Sequence, residues 1–543
     1  MMEQEKKQRI TKLSRMFLEK GLLLSPDILE KLSIFEGTEE IDKAIESIAR
    51  ILLSTSEENM MVVTEEAIDF IKRGKEINWA DFEKAKTLSE KKKDNKIYDK
   101  FIEYAHSEEK AKTEENPHVF AENRSGVTVL ESYDDISKKR TVQDFVDYFN
   151  ARYRGLEAML RNREELQNLM SISRAKKKTE REIVSVIGMV SSKDKTKNGN
   201  IIMKIEDQTG ETKVLFNKSK HELLMEGEDT VLDEVIGVCG VSAKDIIFVN
   251  SIVRPEIPSI IEKKGTAEEE YAIFLSDLHV GSKNFLSEEF GRFLKWINAD
   301  AGTEAQKDIA KKIKYVFIAG DLIDGVGIYA DQDEDLLTKD VSEQYTQCAE
   351  LLSKIPQSMQ IIISPGNHDA MRIAEPQPML YRDFAAAIWK LPNITMLSNP
   401  AMVNIASSEG FSGFNVLIYH GYSFDYYASD VESIRVKGGY DRADLIMKFL
   451  LQRRHLAPSQ TSTQIIPDHE KDPLLITKIP DIFLTGHIHK CSVSHYKNIV
   501  LISGSCWQSK TAFQERVGHH PEPARVPIMN LKTGEIKILK FEK

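Results

Sequence analysis

The sequence predicts a multidomain α+β protein: a helical N-terminal module, a small β-barrel in the middle, and a C-terminal domain whose buried strands end on metal-binding residues. Three observations predict it. At 543 residues the chain is too long for one hydrophobic core. Its apolar spacing is helical before about residue 180 and strand-like over 183–253. Beyond residue 258, five short apolar runs each end in Asp, Asn or His.

The chain as a whole limits the function classes. With 41% hydrophobic and 29% charged residues, it has the composition of a globular protein with some polar linker. No apolar run approaches the roughly 20 residues that span a bilayer, so no membrane partner is expected. Residues 1–12 are charged, unlike a secretory signal. Cys239, Cys348, Cys491 and Cys506 include no C-x-x-C pair, which disfavours a disulfide framework and points to a reducing, cytoplasmic location. The net charge of -11 argues against a broad basic face that grips nucleic acid. It leaves nucleic acid open as a substrate, because divalent ions in a cleft with few carboxylates make it locally positive, and a partner subunit can supply further basic surface.

The elements follow in order. Residues 1–75 read as a helical docking module: Ser25-Pro26-Asp27 is an N-cap with proline at the first helical position, and Thr38-Glu39-Glu40 opens a segment with Ile41, Ile45, Ile48 and Leu52 on one face. Thr64-Glu65-Glu66 opens another, which stops at Lys72-Arg73-Gly74. No basic recognition helix stands out. Residues 76–138 are mostly polar and bury too little apolar surface to offset ordering, so they read as a flexible linker. Residues 139–180 form a helical connector through Phe145, Tyr148, Phe149 and Leu156, ending in the basic run 174–178, which reads as solvated. Over 181–258, five short strands separated by turns such as Lys197-Asn198-Gly199-Asn200 fit a closed barrel of the OB type. Only Phe216 and Phe248 are aromatic in those strands, so the barrel reads as scaffold.

Residues 259–543 carry the chemistry. The apolar runs 271–276, 315–319, 360–365, 415–419 and 481–485 lead into Asp277-Leu278-His279, Gly320-Asp321-Leu322-Ile323-Asp324, Gly366-Asn367-His368-Asp369, His420-Gly421 and Gly486-His487-Ile488-His489. Ligands just past buried strands sit at a sheet rim, where several loops converge on one cleft. In an extended loop His487 and His489, two apart, face one side. Imidazole with carboxylate and amide oxygen suits Mn, Fe, Zn or Co better than Mg or Ca. Asp277, His279, Asp321, Asn367, His420, His487 and His489 are too many ligands for one ion and suffice for two, with Asp321 the best bridge. His368 stands beside a ligand, placed to protonate a departing oxygen or stabilise the transition state, with Asp324 and Asp369 supporting from behind. The reaction class is metal-assisted phosphoester hydrolysis. No phosphate loop and no complete G-x-G-x-x-G follows a strand, which disfavours nucleotide-driven chemistry.

The ordered set D-x-H, G-D-x-x-D, G-N-H-D, H-G and G-H-x-H is similar to the calcineurin-like metallophosphoesterase superfamily. That resemblance implies a two-sheet sandwich flanked by helices. One ion would be held by Asp277, His279, Asp321 and His489, and a second by Asp321, Asn367, His420 and His487, with His368 catalytic. Residues 448–458, 478–483 and Ser503-Gly504-Ser505-Cys506-Trp507-Gln508 resemble, more narrowly, the small subunit of archaeal family D DNA polymerase. This resemblance covers roughly 140–543 and implies a 3′ to 5′ proofreading exonuclease with two divalent ions, Mn foremost. Its partners would be a large polymerase subunit and single-stranded or mispaired DNA 3′ ends. A sliding clamp is a further candidate, although no clamp-binding peptide stands out. Cys506 departs from the pattern, where threonine is expected, at a position that is not a ligand.

Other segments have plainer readings. Arg453-Arg454-His455 either contacts DNA or complements a helix end. Trp507 and Phe513 either stack on a terminal base or pack in the core. The acidic loop 331–335 reads as solvated surface, and His519-His520 as exposed and without carboxylate company. A structural subunit with little activity and a free-standing phosphatase are the alternative functions.

Overall fold

The computed structural model describes residues 22–24, 61–63, 126–133, 139–178, 181–259, 263–467, 471–516 and 518–542. The chain divides into two compact units, 1–118 and 119–543. In the first, β1 (Leu22–Leu24) and β2 (Met61–Val63) pair in parallel, and the helices expected within 1–75 lie outside the described residues. Most of the expected linker lies outside them too. One described part of it is not linker: β3 (Val127–Ser132) pairs antiparallel with the strand Ala401–Ile405, and Val127 is buried in the core behind it. A β-prone Val-Thr-Val-Leu run is enough to add an edge strand, although the surrounding composition is polar.

In the connector, the helix Val142–Arg161 buries Tyr148, Arg152, Tyr153, Leu156 and Leu160. Arg152 is fully buried and anchors this helix to the C-terminal domain. Its Nε lies 2.8 Å from Asp472 Oδ2, its Nη1 donates to the Pro458 carbonyl at 2.9 Å, and its Nη2 donates to the Tyr148 hydroxyl at 2.8 Å. Asp472 also receives His455 Nε2 at 2.7 Å, while the Ala457 N–H donates to His455 Nδ1 at 2.9 Å. The ring is therefore neutral, and burial together with Arg152 pushes its pKa down to about 4.

The strands β4 (Ile183–Lys195), β5 (Ile201–Asp207), β6 (Gly210–Phe216), β7 (Val235–Ala243) and β8 (Ile246–Val253) close into a barrel in the order β4-β5-β6-β8-β7. A helix, His221–Glu228, lies between β6 and β7. Alternate residues such as Val186, Ile205, Val214, Ile236 and Val249 fill the interior. The barrel meets the C-terminal domain through Glu234, which pairs with Arg453 Nε at 3.0 Å and Arg254 Nε at 3.1 Å. Arg454 donates to the carbonyls of Ile476 and Thr477, both at 2.8 Å. Arg453, Arg454 and His455 are all buried, so they do not contact DNA, whereas Arg453 complements its helix end by donating to the Phe449 carbonyl at 3.2 Å.

The C-terminal domain is a two-sheet sandwich. One sheet contains β9 (Tyr271–Leu275), β10 (Ile313–Ala319), β11 (Gln360–Ser364) and β12 (Ile394–Met396). The other contains β3, β13 (Ala401–Ile405), β14 (Phe414–Ile418), β15 (Ile482–Thr485), β16 (Ser492–Tyr496) and β17 (Ile499–Ser503). The chain then returns to complete the first sheet with β18 (Arg525–Asn530) and β19 (Ile536–Lys540), giving the orders β12-β11-β10-β9-β18-β19 and β16-β17-β15-β14-β13-β3. Phe274, Phe317, Ile362, Val403, Val416, Ile418, Leu484 and Ile502 pack between the sheets. Helices Ser287–Ile297, Val341–Leu352 and Arg382–Trp389 cover the outside of the first, and Phe424–Asp430 and Ala443–Arg453 the outside of the second. β9, β10 and β11 are parallel, as are β14 and β15, so within each sheet these strand ends emerge on one edge. Among the described residues no helix is long and apolar enough to cross a membrane.

Candidate metal centre

The loops after β9, β10, β11, β14 and β15 bring their polar residues together. Asp277, His279 and His489 have potential ligand atoms within 4.8 Å of one another, as do His279, Asp321 and His368, and Asp277, Asp321 and His420. The backbone is bent for this purpose. Asp277 (φ 52°), His279 (52°), Asp321 (53°), His487 (71°) and His489 (54°) all adopt the left-handed conformation, which non-glycine residues rarely take. His487 and His489 therefore do not lie on an extended loop with one shared face. Each is turned separately, and they reach different parts of the cluster.

Asp321 is central. Its Oδ2 lies 3.4 Å from His420 Nε2 and 3.8 Å from His279 Nε2, and its Oδ1 accepts the His368 N–H at 2.8 Å. At one end of the cluster, His279 Nε2 and His489 Nε2 face each other at 3.1 Å, and Asp277 Oδ1 is 3.5 Å from His489 Nε2. At the other, Asn367 Oδ1 lies 2.9 Å from His420 Nε2 and 3.0 Å from His487 Nδ1. Gly366 permits the closeness, since a Cβ there would stand 2.2 Å from Asp321 Oδ1.

The residues around the cluster orient its rings. His279 Nδ1 meets Asp324 Oδ1 at 3.0 Å, and Asp324 is itself held by Gln508 at 2.9 Å and Gln332 at 3.2 Å. His420 Nδ1 faces the Ala319 carbonyl and His368 Nδ1 the Asp324 carbonyl, each at 2.8 Å, which fixes both protons on Nδ1. Asp369 does not touch the His368 ring. It accepts from the Gly366 N–H at 2.9 Å and the Tyr345 hydroxyl at 3.1 Å, bracing the loop that carries Asn367.

The donor set fits divalent cations. Asp277 and Asp321 are buried, and among the described residues no Lys or Arg pairs with either. Burial alone would raise Asp321, yet His420 and His368 hold it well below the usual carboxylate range. Burial would lower His420, but Asp321 drives it up to about 10. Burial and the Asp321 charge push Asp369 up to about 7. Imidazoles and buried carboxylates thus offset one another, and the facing Nε2 atoms of His279 and His489 leave a place that suits a cation. The residues matching the expected first ion are Asp277, His279, Asp321 and His489, and those matching the second are Asp321, Asn367, His420 and His487.

Several participants carried no motif. Gln332 lies in the acidic loop 331–335 and is 1% exposed, so that loop is not merely solvated surface. Trp507 is buried against Phe290, with ring centroids 4.8 Å apart, which removes it as a platform for a terminal base, and its backbone N–H donates to the Asp277 carbonyl at 2.9 Å. His519 is half-buried, its ring 4.4 Å from that of Tyr440; burial lowers its pKa and Asp425 opposes the shift, so it does have carboxylate company.

The fold and this cluster define a multidomain α+β protein in which a small closed barrel is joined to a helix-flanked sandwich with a buried Asp–His centre. Residues 272–493 match the family model for the B-subunits of DNA polymerases alpha and epsilon. The chain is similar to the DNA polymerase II small subunit of Methanothermobacter thermautotrophicus, with 38% identity over 74% of this chain and 80% of that one. It is 40% identical to the Methanocaldococcus jannaschii protein of that name, over 75% of this chain and 68% of that one. The Archaeoglobus fulgidus protein of that name is 36% identical, over 77% and 82%. The chain belongs to the family of archaeal DNA polymerase II small subunits.

Proposed function

We propose that the chain is the nuclease-bearing small subunit of a heteromeric replicative DNA polymerase, a two-metal 3′ to 5′ exonuclease that removes misincorporated nucleotides. The observation that carries this reading is Asp321, one oxygen of which faces a histidine from each half of the cluster. Two divalent ions, Mn foremost and Fe, Zn or Co also suited, would supply Lewis acidity toward the scissile phosphate and the water that attacks it. The chain's own residues do the rest. Asp321, Asp277 and Asn367 would hold the cations with negative and dipolar oxygen. Asp324 locks His279 from behind and, through its carbonyl, fixes the His368 proton on Nδ1, so that Nε2 is the nitrogen free to serve the departing oxygen.

The sandwich, two six-stranded sheets flanked by helices, supports the calcineurin-like reading. The strand order of the barrel, with its helix between the third and fourth strands, supports the OB reading. A large catalytic subunit is the proposed partner, since the relatives are named small subunits, with DNA 3′ ends as substrate and a sliding clamp as a further contact. A scaffolding role is compatible: the buried Glu234–Arg453 pair joins barrel and sandwich into one body able to present a fixed surface.

With Mn present, the purified chain is expected to degrade single-stranded DNA ends faster than it hydrolyses mononucleotides. Faster mononucleotide hydrolysis would favour a free-standing phosphatase.

A further inference from the structure

The far-side ring nitrogens of His279 and His420 are held by groups deep in the domain, whereas His487 is held at the rim. Its Nε2 lies 3.3 Å from Asp425 Oδ2, while its Nδ1 lies 3.0 Å from Asn367 Oδ1. Asp425 is the second residue of the helix Phe424–Asp430, which begins just after His420. The segment following β14 therefore supplies one ligand directly and holds another that comes from the loop after β15.

We infer that Asp425 is a positioning residue: once the second ion takes the place of the proton between His487 Nδ1 and Asn367 Oδ1, Asp425 would accept the Nε2–H of His487 and keep the ring turned with Nδ1 toward that ion. A carboxylate behind a ligating imidazole sets both ring orientation and basicity. The inference rests on the two-metal reading. Around Asp425, Tyr440 donates its hydroxyl to the Asp425 carbonyl at 3.4 Å, and the Tyr422 ring is 5.7 Å from that of His487. The Asp425 side chain is 52% exposed against 12% for His487, so replacing it opens no core cavity.

Calorimetric titration of the full chain with Mn²⁺ alone tests this. Wild type is expected to bind two ions. Asp425→Leu is expected to weaken one of them by about 10–100-fold and leave the other unchanged. Asp425→Asn, which keeps an acceptor oxygen, should recover most of that affinity, and metal-free thermal unfolding should be the same for all three proteins. Asp425→Leu binding both ions like wild type would overturn the inference, as would a lowered metal-free melting temperature without a selective loss. Wild type taking up no second ion would instead overturn the two-metal reading, and this inference with it.

Discussion

His368→Ala is expected to slow Mn-dependent degradation of mispaired 3′ ends by about 10²–10⁴-fold, the usual contribution of a positioned proton-transfer group. The structure gives the reason to expect this without loss of fold. The His368 ring hydrogen-bonds to the protein through the Asp324 carbonyl and stands edge-on to His279, with centroids 4.7 Å apart. Its backbone N–H, which holds Asp321 Oδ1, survives the substitution. Metal uptake and melting temperature should therefore match wild type, and comparing single-turnover rates with Mn uptake separates the two contributions. Unchanged rates would remove His368 from the catalytic role.

Arg152→Ala should destabilise the body by about 3–5 kcal/mol, because it strands the buried Asp472 carboxylate. Asp472 would keep its bonds from the His455 ring and the Leu474 N–H but lose its cationic partner, and the helix Val142–Arg161 would lose its anchor to the Pro458 carbonyl. Denaturant unfolding of the variant against wild type measures it. Arg152→Met should be milder than a simple charge count suggests, since it refills part of the volume, but it still leaves the buried carboxylate without a cation. A loss below about 1 kcal/mol, as for a surface ion pair, would contradict the anchoring role.

The cluster was legible because its residue types are concentrated just after apolar runs, and Asp321, singled out from the sequence as the best bridge, lies at its centre. What could not be read was how the loops turn. Positive φ at Asp277, His279, Asp321, His487 and His489 leaves no mark in the sequence, since none of these is glycine, so the paired faces of the two final histidines were misjudged. Gln332 and Gln514 are neutral amides without motif neighbours, and Gln508 ends the segment 503–508 with nothing to mark its partner, yet Gln332 and Gln508 hold Asp324, and Gln514 lies 3.0 Å from His489. Their roles depend on folding from distant positions. In the fold, the change to alternating apolar residues marked the barrel, whereas β3 was hidden by the polar stretch around it. The burial of Arg453 and Arg454 was hidden for a related reason, although Arg453 does complement its helix end by donating to the Phe449 carbonyl at 3.2 Å. A basic pair at a helix end has the same sequence whether it faces solvent or, as here, a buried glutamate and backbone carbonyls.

The most direct measurement is a time course on a 5′-labelled primer with a mispaired 3′ end, in Mn²⁺, comparing wild type with Asp321→Ala. Wild type should give a ladder that shortens from the 3′ end, and Asp321→Ala, lacking the oxygen that faces both His279 and His420, should leave the primer intact. A full-length primer with wild type, or equal ladders from both proteins, would contradict a two-metal exonuclease built on Asp321.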